Sequence, residues 1–185
     1  MQILVTLGGL AVAILLWGAL TYNRLVSLRA KAENSWGDIE TQLKRRWDLI
    51  PTIVASVKGY ASHEAAVYEK IAAARARSAT VSSPRELAHA EQGLKGAMKS
   101  LFAVVEAYPN LQASQNFMQL QQELEQIEDA VQRSRHYYNA VVRDYNTSLE
   151  VFPRNYVASL FGFHKRAFFS LTDEAERTTP SVRFR

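Results

Sequence analysis

Residues 33–77 read ENSWGDIETQLKRRWDLIPTIVASVKGYASHEAAVYEKIAAARAR, and the spacing of their apolar side chains decides the fold. Trp36, Ile39, Leu43, Trp47, Ile50, Val54, Val57, Ala61, Val67 or Tyr68, and Ile71 recur in steps of three and four. Such steps mark one face of a helix. At 1.5 Å per residue a single helix of that length runs roughly 65 Å. It cannot stand alone in water, so other helices must cover its stripe. Pro51 lacks an N–H and pushes Ile50 away from helical dihedrals. The apolar phase continues on both sides of it, which predicts a kink at Pro51 rather than a stop.

The N-terminal stretch ahead of this helix is an anchor. Met1 to Asn23 carries no charged side chain, and Ile3 to Leu20 is broken only by Thr6, Gly8, Gly9 and Gly18. About 20 such residues span the hydrocarbon core. Ile3, Leu4, Leu10, Ile14 and Leu16 are the lipid-facing expectations, and Trp17 and Tyr22 suit the interface. The rival reading is a cleaved signal peptide. It wants basic residues ahead of the apolar run, where only Met1-Gln2 stands, and a better cleavage site than Gly18-Ala19-Leu20-Thr21. Residues 1–23 are therefore read as a retained transmembrane anchor in a plasma (inner) membrane. Arg24, Arg29 and Lys31 come after the span, so the positive-inside rule leans the body of the chain towards the cytoplasm.

The C-terminal half supplies the cover for the long helix. Ser83-Pro84-Arg85-Glu86 is a helix start, with Ser at the N-cap, Pro at the first helical position and Glu three residues after the Ser. Leu87, Leu94, Met98, Leu101, Val105 and Tyr108 form the stripe of this second helix. A third, capped by Ser114 or Asn116, carries Phe117, Leu120, Leu124, Ile127, Val131, Tyr138, Val141, Tyr145, Leu149 and Phe152. Phe152-Pro153 ends it. A shorter fourth helix holds Tyr156, Val157, Leu160, Phe161, Phe163, Phe168 and Phe169, and residues 171–185 read as a flexible tail. With no strand signal, the fold class is all-α: a transmembrane helix and then an antiparallel bundle of about four helices over 24–170.

Several runs carry a family resemblance. Gln42-Leu43-Lys44-Arg45-Arg46-Trp47-Asp48-Leu49-Ile50-Pro51, Val57-Lys58-Gly59-Tyr60-Ala61-Ser62-His63-Glu64 and Ala74-Arg75-Ala76 resemble the LemA family of bacterial proteins. Tyr108-Pro109-Asn110-Leu111, Asn116-Phe117, Leu120-Gln121-Gln122-Glu123-Leu124-Glu125, Tyr138-Asn139, Tyr145-Asn146, Phe152-Pro153 and Phe168-Phe169 extend the likeness to about Tyr22–Phe169. The resemblance implies a membrane-anchored helical bundle with no established enzymatic activity. It also implies a setting in the bacterial envelope, often near a membrane zinc metalloprotease. Thr52 and Ile127-Glu128-Asp129 depart from the usual pattern, in local polar contacts rather than in the fold.

Little in the chain suggests chemistry. Cysteine is absent, and 22 basic against 18 acidic residues, without a reading motif, argue for no nucleic-acid partner. Glu86-Leu87-Ala88-His89 has di-iron spacing once, while His63, His136 and His164 lack a Glu three residues before them. No catalytic, metal or cofactor-binding residue is assigned, and no cofactor is expected. The unusual residues are charges on or beside the apolar seams: Arg46 and Glu64 in the long helix, Glu128 and Arg135 in the third. They read as a polar network that fixes register, or as stems covering apolar surface with their heads in water. Lys44-Arg45-Arg46 reads as a solvated face. Phe161 to Phe169, with Lys165-Arg166, either closes the open end of the bundle or touches membrane or partner.

The function expected from the sequence is thus a non-enzymatic membrane-anchored scaffold or adaptor, with a regulator of a neighbouring membrane protease as the narrower alternative. Its expected partners are the lipid bilayer, a second copy of the chain, and a membrane protease or other envelope protein. Self-association rests on a geometric expectation. A second helix of about 24 residues, folded back from Arg77, would cover the first only down to about Ile53. Trp36, Ile39, Leu43 and Trp47 would then form an uncovered row suited to another copy. Alternatively, Pro51 breaks the helix and residues 24–50 fold back onto the bundle.

Overall fold

The computed structural model describes residues 1–170 and is helical throughout its regular structure. The helices are α1 (Gln2–Lys58), α2 (Ala65–Thr80), α3 (Pro84–Val105), α4 (Pro109–Gln112), α5 (Gln115–Glu150) and α6 (Arg154–Leu160). The expected tail over 171–185 lies outside the described residues. The chain divides into two compact units, each with its own packing: residues 1–39 with 134–167, and residues 40–133 with the segment from Phe168.

The decisive local event is the end of α1. The sequence pattern predicts a helix running on to Arg77, but the helix stops at Lys58 and Gly59–Glu64 form a turn. The amides of Tyr60 and Ala61 both bond the Val57 carbonyl, closing the last turn. Gly59, the first residue of the turn, is the poorest helix former of the stretch, about 1 kcal/mol worse than Ala in a helix interior. Pro51, by contrast, lies inside α1 without ending it. The chain reverses at the turn, so α2 lies back along α1. Tyr68, near the start of α2, donates to the Ala61 carbonyl at 2.6 Å, and Arg75, near its end, reaches the Trp47 carbonyl.

This reversal changes what covers the middle of α1, before Pro51. In the first unit, Trp36 on α1 packs against Tyr138 on α5, ring centroids 5.3 Å apart, and Leu149 packs against the cluster of Leu25, Val157 and Ala158. Moving up α1 therefore moves down α5, an antiparallel pair. The row expected to lie uncovered is covered by its own chain. Ile39 and Leu43 are fully buried, and Trp36 and Trp47 are half-buried. The ground for an oligomer face at Trp36, Ile39, Leu43 and Trp47 is thereby removed, because α5 returns towards the anchor rather than running away from it.

Helix starts agree closely with the sequence. Ser83 sits at the N-cap of α3, its hydroxyl accepting from the Glu86 amide at 3.2 Å, with Pro84 at the first position. Leu87, Leu94, Leu101 and Val105 are buried behind it. The fourth helix is shorter than its apolar pattern suggests. Gly162, at φ +67°, ends α6 in a left-handed turn, and the Phe163 amide bonds back to the Ala158 carbonyl at 2.9 Å. Beyond it the backbone is irregular and held by side chains of α5. Tyr145 donates to the His164 carbonyl, Tyr138 to the Ala167 carbonyl, and Asn146 both donates to the Arg166 carbonyl and accepts from its amide at 2.9 Å. The Tyr-Asn motif at 145–146 thus ties down a non-helical segment rather than bridging two helices.

Tyr138 and Tyr145 are 2 % and 1 % exposed, and burial pushes both phenols above their ordinary range, against a smaller opposing pull from Arg166. Folding therefore favours the protonated phenols. Their contribution is complete below the unfolded value of about 10 and is lost as pH rises through the raised folded values. Thermal melts in detergent micelles should show stability falling above about pH 10. A Tyr138→Phe/Tyr145→Phe variant should start lower at neutral pH, having lost two hydrogen bonds, but show a shallower alkaline decline.

Candidate functional site

One turn of α1, Arg46-Trp47-Asp48, meets every other long helix of the second unit. Arg46 is 5 % exposed. It pairs with Glu91 on α3 and, at 2.8 Å through its terminal nitrogen, with Glu128 on α5. Trp47 donates its indole N–H to Glu91 at 3.0 Å. Asp48 lies 3.9 Å from Arg75 on α2. Burial pushes the Arg46 guanidinium down from its ordinary value, while the charge of Glu128 and its hydrogen bond hold it up. A guanidinium does not shed its proton in a protein, so the burial has to be met by acceptors. Two carboxylates and one guanidinium leave the cluster with one net negative charge, half-exposed at Glu128 and closed in at Glu91.

The same turn resolves the proline. In an α-helix the amide of residue 51 would donate to the carbonyl of residue 47. Pro51 has no amide hydrogen, so it strands the Trp47 carbonyl. Arg75 takes the place of that donor, its Nε donating to the carbonyl at 2.6 Å. The defect in α1 is thus the acceptor that fastens α2. Beside it, a groove of about 650 Å³ opens between the end of α1 and α2, lined by Pro51, Val54, Ala55, Tyr68 and Ala72 among others.

Of the four seam charges expected from the sequence, the structure brings Arg46 and Glu128 together. Glu64 is half-buried at the N-cap of α2, away from this cluster, because α1 has already ended. Arg135 occupies a half-buried position on α5, two turns beyond Glu128. Sequence reasoning misses Glu91, although the signal for it is present. It fills the stripe position between Leu87 and Leu94, and it is 9 % exposed. The expected membrane residues Ile3, Leu4, Leu10, Ile14, Leu16 and Trp17 are 40–76 % exposed on α1. Their helix is the one described element long and apolar enough to cross a bilayer. Among the described residues, no group of three or more His, Asp or Glu side chains is placed to hold a metal ion.

Two measurements check this junction. Arg46→Ala should cost roughly 3–5 kcal/mol in denaturant unfolding, because Glu91 is left buried and uncompensated. An Arg46→Met/Glu91→Leu double variant, which removes both buried charges, should lose less than the single change. For the proline, Arg75→Leu should cost about 1.5 kcal/mol in the native chain. In a Pro51→Ala background, where residue 51 supplies the missing N–H, the same substitution should cost distinctly less. Additive effects in that cycle would rule out the compensation.

Magnetosome protein MamQ 2 of Paramagnetospirillum magneticum is 33 % identical over 85 residues, 46 % of this chain and 31 % of that protein. Protein LemA of Metamycoplasma hominis is 26 % identical over 155 residues, 82 % of this chain and 69 % of that protein. Magnetosome protein MamQ of Magnetospirillum gryphiswaldense is 22 % identical over 174 residues, 80 % of this chain and 64 % of that protein. The chain thus spans less than a third of MamQ 2 and just under two thirds of the second MamQ. The LemA family profile matches residues 35–184, including the whole Arg46 junction, and this chain belongs to the LemA family.

Proposed function

We propose that this protein is a non-enzymatic scaffold or adaptor held in the inner membrane by the first part of α1, with its helical body in the cytoplasm. The observation that carries the reading is the continuity of α1. One helix is apolar and exposed over residues 3–16, then buries Leu25, Ala32, Ile39, Leu43, Ile50 and Ile53. Anchor and core are the same element, so no flexible linker separates them, as a cleaved leader or a freely tethered domain would require. The buried charges support the same reading. Arg46, Glu91 and the Trp47 indole N–H are spent on one another and on joining helices, and the guanidinium and the Glu91 carboxylate are enclosed rather than presented to a substrate. The cytoplasmic side is supported by Arg24, Arg29 and Lys31 behind an uncharged span.

The magnetosome proteins among the similar sequences take their name from a compartment. We assign the anchored bundle, not that compartment, to the present chain. A membrane protease or another envelope protein is the proposed partner class, and it rests on the family setting.

Alkaline carbonate washing of membranes should leave the full-length chain in the pellet. A soluble chain with an N-terminus near Tyr22 would overturn the anchor. Crosslinking in intact membranes, with adducts identified by mass spectrometry, should join the helical body to another membrane protein. Adducts confined to copies of this chain would replace the adaptor with a self-assembling scaffold.

A further inference from the structure

The second half of the first unit carries a two-faced helix that its own chain covers on one side only. On α6, Val157 and Ala158 are buried against Leu25 of α1. The other side presents Tyr156 and Leu160, four residues apart and 67 % and 78 % exposed, and Phe152, 73 % exposed, stands in the turn before the helix. The Phe152 and Tyr156 rings lie 6.0 Å apart, which makes the ridge continuous. Phe161, 58 % exposed, extends it. Four large apolar side chains side by side in water are costly, and such patches on natural proteins mark contacts.

Position decides which contact. The Phe161 ring packs on Tyr22 at 4.8 Å and Phe163 on the same ring at 5.7 Å. Tyr22 is the aromatic residue that ends the uncharged span, and Leu25 is three residues beyond it, roughly 4.5 Å along the axis. α6 is thereby fixed within one helical turn of the membrane edge. Charge is compatible with that position. From Val151 to Ser170 there is no Asp or Glu, Arg154 stands at the start of α6, and Lys165 and Arg166 are paired with Glu150 and Glu33. An apolar ridge with no acidic residue of its own and a cation at its start fits a helix that lies in the boundary between headgroups and acyl chains.

We propose that α6 and Phe161 form an interfacial foot, its Phe152–Tyr156–Leu160 ridge seated in the headgroup–acyl boundary of the bilayer that holds α1. The proposal rests on the anchor reading of α1 and adds to it a second, sideways attachment. The foot sets how deep α1 sits and resists its sliding. Any other occupant of the ridge would have to displace lipid already present at that level.

The test uses the full chain, which contains no cysteine, in vesicles of phosphatidylethanolamine and phosphatidylglycerol. Single cysteines are introduced by Tyr156→Cys, Leu160→Cys, Ile14→Cys and Glu123→Cys and labelled with a nitroxide. Collision with oxygen, which favours lipid, is compared with collision with a water-soluble nickel chelate. The labels at 156 and 160 should collide preferentially with oxygen, with a shallower depth than the label at 14, while the label at 123 should read as water. If 14 reads as lipid and 156 and 160 as water, the foot is wrong and the anchor stands. If 156 and 160 are closed to both reagents, protein rather than lipid covers the ridge, and the proposal fails. If 14 also reads as water, the anchor and the foot fall together.

Discussion

A buried guanidinium cannot escape its burial by losing a proton, so Arg46 imposes a condition on everything around it. The condition is met by one carboxylate from α3 and one from α5, with the neighbouring indole of Trp47 satisfying a further lone pair of Glu91. Apolar seams alone tolerate sliding by a heptad at modest cost. A charge triad with members on three helices does not, because a slipped register leaves at least one ion buried and alone. The packing of Leu43, Ile50, Ile53, Leu94, Leu101 and Val131 in the second unit therefore has one register in which its buried ions are also paired.

Much of this is legible in the chain. The helical class, the exposed apolar start, the cap at Ser83 and the buried stripes of α3 and α5 all come from spacing and capping chemistry that act locally. Arg46 and Glu128 are legible as anomalies on their seams. Glu91 is legible in principle, since it lies beside Ala90 in the gap between Leu87 and Leu94 on the buried stripe of α3. The feature that pattern reading gets wrong is the one decided by a weak local signal. Gly59 to Glu64 carries no proline, and the stripe resumes in phase at Val67 or Tyr68 with Glu64 in the one slot between, so periodicity does not distinguish a continued helix from one that turns back. That single reversal moves every later helix by one leg, and it explains why the row at Trp36, Ile39, Leu43 and Trp47 looks uncovered from sequence.

The end of the described chain shows a different limit of pattern reading. Phe161, Phe163, Phe168 and Phe169 suggest a longer fourth helix, yet only seven residues are helical. The remainder is held by hydroxyls and an amide from α5, with the Phe169 ring buried at 2 % exposure. Aromatic residues at irregular spacing record burial, not conformation. The polar residues that hold the segment sit about twenty or more positions away and carry no mark of their target.

The bond between Arg75 and the Trp47 carbonyl links two positions that a reader of either alone would judge independently. A proline inside a long helix is ordinarily a liability tolerated for some other reason. Here it creates an acceptor aimed at a neighbouring helix, and the arginine twenty-four residues later has value because of it. In the history of such a chain, neither position is free to drift by itself. A lineage that exchanges the proline releases the arginine from its constraint, and one that first loses the arginine comes under pressure to restore an ordinary helical residue at 51.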